Sequence, residues 1–160
     1  MADSALITDR APAFRDALPE GGALMALDVG TRTIGTALCD AGWRFASAGN
    51  TLMRTKFAAD RAKLEALIRE RGIAGVVIGL PRNMDGTEGP RAQASRAYAQ
   101  NLAALGLPIL LWDERLSTAS AERAMIDQDI SRAKRAERID AAAAAVILQG
   151  AIDALAGSVI

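Results

Sequence analysis

The sequence predicts an α/β domain built on a mixed five-stranded sheet with helices on both faces. Three observations lead there. Leu24 to Asp40 contains two strand-like runs about a Gly-Thr-Arg-Thr turn, and Ala41-Gly42 turns the chain again into a third strand, so the first half reads as an antiparallel meander. Gly75 to Leu80 and Leu107 to Asp113 are short apolar runs without alternation, as in strands buried on both faces. Helix-period segments separate those runs, which implies parallel pairing in the second half.

Taken in order, Met1 to Gly22 is mixed and polar, with Pro12, Pro19 and Gly21-Gly22; Phe14 to Leu18 can form a helical turn that packs on the domain, but the segment is expected to be a loose tail preceding a single domain over 23–157. Along the first strand, Leu24, Ala26 and Asp28 share one face, while Met25, Leu27 and Val29 take the other. The third strand spans Trp43 to Leu52. A helix over Thr55 to Arg71 carries Phe57, Leu64, Leu67 and Ile68 at helical spacing, and Gly72 stops it. Pro81 to Gly89 is a polar loop. Pro90 to Leu105 is a helix with Ala94, Tyr98, Leu102 and Leu105 on one face, and Pro90 suits its first turn. Ser117 or Thr118 can cap a helix running to about Gln128. Asp127 to Glu137 is polar and basic. Arg138 to Ala156 forms an alanine-rich last helix, stopped at Gly157.

Composition narrows the chemistry. The 160 residues hold 19 basic and 19 acidic side chains, and 16 of the basic ones are Arg, which suits bidentate phosphate or carboxylate contacts. A balanced total still permits a local phosphate-binding patch. The absence of His removes imidazole acid–base catalysis and the usual zinc sites. A metal would then be held by oxygens, which favours magnesium or manganese. One cysteine, Cys39, makes no internal disulfide, and no segment has signal-peptide or membrane-span character. The expectation is a soluble cytoplasmic protein without a membrane partner.

Three carboxylates sit where structure alone explains them poorly. Asp28 ends a strand otherwise fit for a core, and Asp113-Glu114 ends the last strand. Asp140 opens the apolar part of the last helix. Ligand sites of open α/β sheets form at the carboxyl ends of strands. Converging carboxylates repel unless cations lie between them, and two divalent ions there would support in-line attack on a phosphodiester. Phosphate-binding groups border the same edge: Arg32 in the hairpin turn, Arg82 and Asn83 in the loop, Arg115 and Thr118 after Glu114, and Arg132, Lys134, Arg135 and Arg138 before Asp140. Taken singly, each Arg could be a solvated surface charge, and Asp28 or Asp140 a capping residue.

Four stretches in order, Leu-Asp-Val-Gly-Thr-Arg-Thr-Ile-Gly-Thr-Ala, Val-Val-Ile-Gly-Leu-Pro-Arg-Asn-Met-Asp-Gly, Trp-Asp-Glu-Arg-Leu-Ser-Thr and Arg-Ile-Asp-Ala-Ala-Ala-Ala, resemble the YqgF family over roughly Leu24 to Ala156. That family comprises Holliday junction resolvases, also called pre-16S rRNA nucleases. The resemblance implies a ribonuclease H-like fold with strand order 3-2-1-4-5, and a cytoplasmic bacterial endonuclease maturing the 5′ end of 16S rRNA. It implies Mg2+ or Mn2+ as cofactor, nucleic acid (pre-rRNA or branched DNA) and a pre-ribosomal particle as partners, and 5′-phosphate and 3′-hydroxyl products. By motif, Asp28, Glu114 and Asp140 look like the catalytic, metal-binding acids. Asp113 is the substitute for Glu114, since strand alternation lets only one of that pair face the site.

Other readings remain at this level. Asp-x-Gly-Thr also opens kinases and ATPases of the actin and sugar-kinase type, but those close two such domains on a nucleotide and this chain has length for one. A Holliday junction resolvase in DNA recombination and a non-catalytic RNA-binding assembly factor are the alternatives to the rRNA nuclease. The expected state is a monomer or weak homodimer.

Overall fold

The computed structural model describes residues 5–18, 22–116 and 132–157, with side chains for all of these except 116, 132–140 and 157. The sheet has six strands: β1 (Ile7–Thr8), β2 (Ala23–Val29), β3 (Thr33–Cys39), β4 (Ala46–Met53), β5 (Ile73–Leu80) and β6 (Ile109–Asp113), in the spatial order β1-β6-β5-β2-β3-β4. Pairing is antiparallel for β2–β3 and β3–β4, and parallel for β2–β5, β5–β6 and β1–β6. The five expected strands therefore keep their expected order, and a sixth is added at the edge.

That sixth strand comes from the segment expected to be loose. Ile7 and Thr8 pair with Ile109 and Leu110, and the Ile109 amide donates to the Leu6 carbonyl at 2.8 Å. Helix α1 (Ala11–Ala17) follows, and its Phe14 is fully buried. Pro12, read as a loop signal, lies in the first turn of this helix, where its missing N–H leaves no bond unmade. One large aromatic in a short polar segment is enough to dock it, because burying a Phe contributes about 1.5–3 kcal/mol.

Helices α2 (Phe57–Arg71) and α3 (Pro90–Leu102) cover one face of the sheet, and α4 (Arg132–Gly157) lies across β2, β3 and β4 on the other. Gly72 and Gly106 take left-handed conformations, ending α2 and the 3-10 turn that extends α3. The buried stripe of α3 runs through Ala92, Ser95, Ala99 and Leu102 with Tyr98; Ala94, expected on that stripe, is exposed. Among the described residues helix α4 runs from Arg132, so Arg132, Lys134 and Arg135 belong to the helix that was expected to start at Arg138. Arg, Ala, Lys and Glu are strong helix formers, and nothing between Arg132 and Arg138 breaks the pattern. The expected helix from Ser117 or Thr118 to Gln128 lies outside the described residues.

The two cores follow the alternation of β2. Met25, Leu27 and Val29 join the core beneath α2 and α3, while Leu24 and Ala26 join the core beneath α4. Asp28 continues the second set, so its carboxylate stands at the end of the face that α4 covers.

Candidate active site

Asp28, Gly79 and Glu114 meet at the carboxyl ends of three neighbouring strands. Leu27 pairs with Ile78 and Gly79 with Trp112, which brings the residues after each pair to one rim. Glu114 opens a 3-10 turn directly after β6. Its carboxyl hydrogen-bonds the Asp28 side chain. Burial pushes the Glu114 carboxyl up to about 8; the Asp28 charge, the bond to Asp28 and the Asp113 charge add to this, and Arg91 opposes it. The two carboxyls therefore share a proton across this hydrogen bond below about pH 8.

Gly79 makes that approach possible. A Cβ there would stand 2.8 Å from Glu114 Cδ and Oε1, and 2.6 Å from Ile147 Cδ1 of α4. Gly75, four residues earlier on the same face, does the same for α1: its Cβ would lie 2.6 Å from Leu18 and 2.9 Å from Phe14. Both glycines fall inside the run read simply as a doubly buried strand. Strand glycines weaken a sheet and mark places where another group comes close, and that signal could have located this crowding from sequence.

Asp113 faces the other way. Arg115 Nε donates to Asp113 Oδ2 at 2.9 Å and Arg115 Nη2 to the same oxygen at 2.6 Å, while the Arg115 amide donates to Oδ1 at 3.0 Å. These bonds hold the Asp113 carboxyl below the usual carboxylate range. Alternation thus divides the Asp113-Glu114 pair: Glu114 meets Asp28, and Asp113 is bound by arginine.

The basic residues expected to bind phosphate are distributed as follows. Arg82 sits among Glu88 (3.5 Å), Asp9 (3.6 Å) and Asp113 (3.9 Å). Arg115 forks onto Asp113 and is otherwise exposed. Asn83 donates its side-chain amide to Thr87 Oγ1 at 3.0 Å. Arg32 is exposed in the turn closed by the Gly30 amide on the Thr33 carbonyl at 2.9 Å. Arg132, Lys134, Arg135, Arg138 and Asp140 lie on the first turns of α4, and Asp140 immediately precedes Ala141 and lies one turn before Ala144, both buried. Thr118 lies outside the described residues. Among the described residues no group of three acidic, Cys or His side chains is close enough to hold a metal; the described part of the site is the Asp28–Glu114 pair.

Sequence reading missed two cations. Arg91, on the first turn of α3, is near enough to Glu114 to oppose its rise. Arg54 clamps the hairpin turn: its Nη1 donates to the Gly30 carbonyl at 2.7 Å, and its amide donates to the Arg32 carbonyl at 2.8 Å. Its guanidinium also lies over the Tyr98 ring, 5.3 Å from the centroid. Arg54 fixes the turn two residues beyond Asp28 to helix α3. No local pattern marks either residue, because both act through partners distant in sequence.

This mixed sheet, with an acid pair at the carboxyl ends of two of its inner strands, is a ribonuclease H-like α/β fold. Residues 22–154 match the family described as RuvX: Holliday junction resolvase, and the chain belongs to that family. It is 69% identical to a protein of Novosphingobium aromaticivorans named "Putative pre-16S rRNA nuclease", over 96% of this chain and 99% of that one. Relatives of the same name in Sphingopyxis alaskensis and Cereibacter sphaeroides are 64% and 58% identical, covering 94% and 89% of this chain and 99% and 89% of theirs. Among solved structures, Thermus thermophilus RuvC in complex with a Holliday junction substrate shares the fold at 13% identity, with a TM-score of 0.50 over 86% of this chain and 97% of that one. Among the described residues, no helix is long and apolar enough to cross a membrane.

Proposed function

We propose that the chain is a divalent-cation-dependent endonuclease that hydrolyses phosphodiester bonds in structured RNA, maturing the 5′ end of pre-16S rRNA. The observation that carries this reading is the shared hydrogen bond of Asp28 and Glu114 at the carboxyl ends of β2 and β6. Two acids pressed together in a half-buried rim, one of them protonated to about pH 8, form an incomplete arrangement that a cation would complete. The donor set is all oxygen and suits Mg2+ or Mn2+. Asp28, Glu114 and Asp140 would hold the ions, and Asp113, bound by Arg115, is left out of the set. When bound, the cations supply the charge that neutralises the phosphate and acidifies water.

The residues of this chain do the rest. Gly79 leaves the space that Glu114 occupies, and Arg54 holds the turn after Asp28. Arg32, Arg91 and Arg115 are exposed around the rim, where they can take phosphate oxygens. The Arg82 guanidinium, surrounded by acids, braces the loop after β5. Arg132, Lys134, Arg135 and Arg138 precede Asp140 on α4, and loss of Arg132 and Arg135 together would lower the salt dependence of binding. Relatives named as pre-16S rRNA nucleases at up to 69% identity support the RNA substrate.

The test compares a pre-16S rRNA fragment with a four-way DNA junction, each with Mg2+, with Mn2+ and with chelator. Cation-dependent cleavage of the RNA into 5′-phosphate and 3′-hydroxyl ends is the expected result. Asp28→Asn and Asp140→Asn lower the rate by about a hundredfold or more, because several kcal/mol of charge stabilisation are lost with the cations. Cleavage of the junction alone would move the substrate to branched DNA. Equal rates for parent and variants would remove the acids from the chemistry.

A further inference from the structure

We propose that Met84 is a base-contacting residue, packing its thioether against an unstacked nucleobase of the nucleic acid bound at the acid rim. The inference rests on the nuclease reading above and adds a recognition element to it. Met84 is the most exposed of the large apolar side chains among the described residues, at 88% of its full surface. An isolated exposed apolar side chain is common on protein surfaces. Here three further features separate Met84 from that background.

The first is rigidity. The Gly86 amide donates to the Asn83 carbonyl at 2.8 Å, and the Asn83 amide to the Thr87 carbonyl at 2.8 Å, so Met84 and Asp85 form the tip of a closed turn. Gly86 takes the left-handed conformation this turn needs, at φ +88°. The second is the direction of the polar groups. Asn83 Nδ2 donates to Thr87 Oγ1 at 3.0 Å, and Asp85 Oδ1 accepts from the Thr87 amide at 3.0 Å and its hydroxyl at 2.6 Å. The polar side chains on either side of Met84 are engaged within the loop, and the apolar one is presented outward. The third is location. The loop leaves the carboxyl end of β5 directly after Gly79-Leu80. A Cβ on Gly86 would stand 3.4 Å from Nη1 of Arg115, the neighbour of Glu114.

An unbranched, polarizable side chain carried on a closed turn beside a phosphate-binding edge has the properties of an apolar wedge, which nucleic-acid-binding proteins set against or between bases. A base face is sequence-tolerant, so the contact would select unpaired or distorted structure over sequence.

The experiment measures binding with Ca2+ in place of Mg2+ by the parent, Met84→Ala and Met84→Leu. The probes are an RNA hairpin and a four-way DNA junction, each with 2-aminopurine at an unpaired or central position. Met84→Ala is expected to weaken binding of the preferred probe about fivefold or more, the low end for losing a base contact. Its salt slope stays that of the parent, since no phosphate contact is lost. The parent changes the 2-aminopurine fluorescence and Met84→Ala does not; Met84→Leu stays within about twofold of the parent. Thermal midpoints of all three coincide, because the side chain makes no fold contacts to lose. Met84→Ala binding both probes as the parent does would overturn the inference alone. A parent that binds neither probe would overturn the nuclease reading and the inference together.

Discussion

The carboxyl of Glu114 is hydrogen-bonded to that of Asp28 in the space left by Gly79, and burial raises its pKa to about 8. This arrangement makes the stability of the metal-free protein depend on pH. In the unfolded chain Glu114 loses its proton near 4.5, and in the folded chain it keeps it to about 8. Between these values the folded state binds more protons, so stability falls as pH rises, by at most ~1.4 kcal/mol per pH unit. Below the window the term is absent, and above it the full penalty applies. Urea unfolding in chelator at several pH values should show this decline for the parent and a flatter profile for Glu114→Gln. Parallel profiles would mean that the two carboxyls do not share a proton.

Divalent cations should offset part of that decline. A ligand that binds only the folded state stabilises it by RT ln(1 + [L]/Kd). At pH 8 the cation replaces the proton between the acids, so Mg2+ or Mn2+ at a hundred times Kd should add about 2.7 kcal/mol. At pH 5 the proton competes and the gain shrinks. Asp28→Asn should abolish the gain at both values. Thermal melts with and without the ion, at fixed ionic strength, measure this apart from any cleavage.

Gly79→Ala separates site geometry from stability. The new Cβ would meet only ends of side chains, Ile147 Cδ1 at 2.6 Å and the Glu114 carboxyl at 2.8 Å. Both can shift, so the stability cost should stay near about 1 kcal/mol, the low end for overpacking. Glu114 can shift only by leaving Asp28. Nuclease activity should therefore fall by about a hundredfold, and the pH dependence of stability should flatten as it does for Glu114→Gln. A variant with full activity would show that the Glu114 position is not required.

The parts legible in the sequence were those encoded locally. Alternation gave the correct faces for Leu24 to Val29, six of the seven residues of β2, and with them the place of Asp28. Unalternating runs gave β5 and β6, and parallel order put their ends beside Asp28. What escaped was set by distant partners. Motif and alternation favour Glu114 over the adjacent Asp113, but the Arg115 fork that engages Asp113 and the room at Gly79 that admits Glu114 are not written in either signal. Arg82 reads as a phosphate ligand until Asp9, Glu88 and Asp113 are seen around it. The N-terminal segment reads as a tail with at most a docked turn over Phe14 to Leu18, because its composition is polar and a two-residue strand has no periodicity to detect.

Phe14 tests that last correction. Its ring is fully buried in the core beneath α4 and lies against the open face of Gly75, where a Cβ would come within 2.9 Å of Cζ. Phe14→Ala should destabilise the protein by about 3 kcal/mol or more, the range for a buried Phe replaced by Ala. Should the void be large, α1 would undock and β1 would lose its support beside β6. Arg10 and Arg15, on and before α1, would then become trypsin-sensitive before the rest of the chain. Gly75→Ala should have the same effect from the opposite side, since its Cβ claims the volume of the ring and of Leu18. The acid rim lies at the far end of β5 from Gly75, so cation binding by the folded fraction should persist in both variants. Near-parental stability together with unchanged protease resistance would return residues 5–18 to the status of a tail.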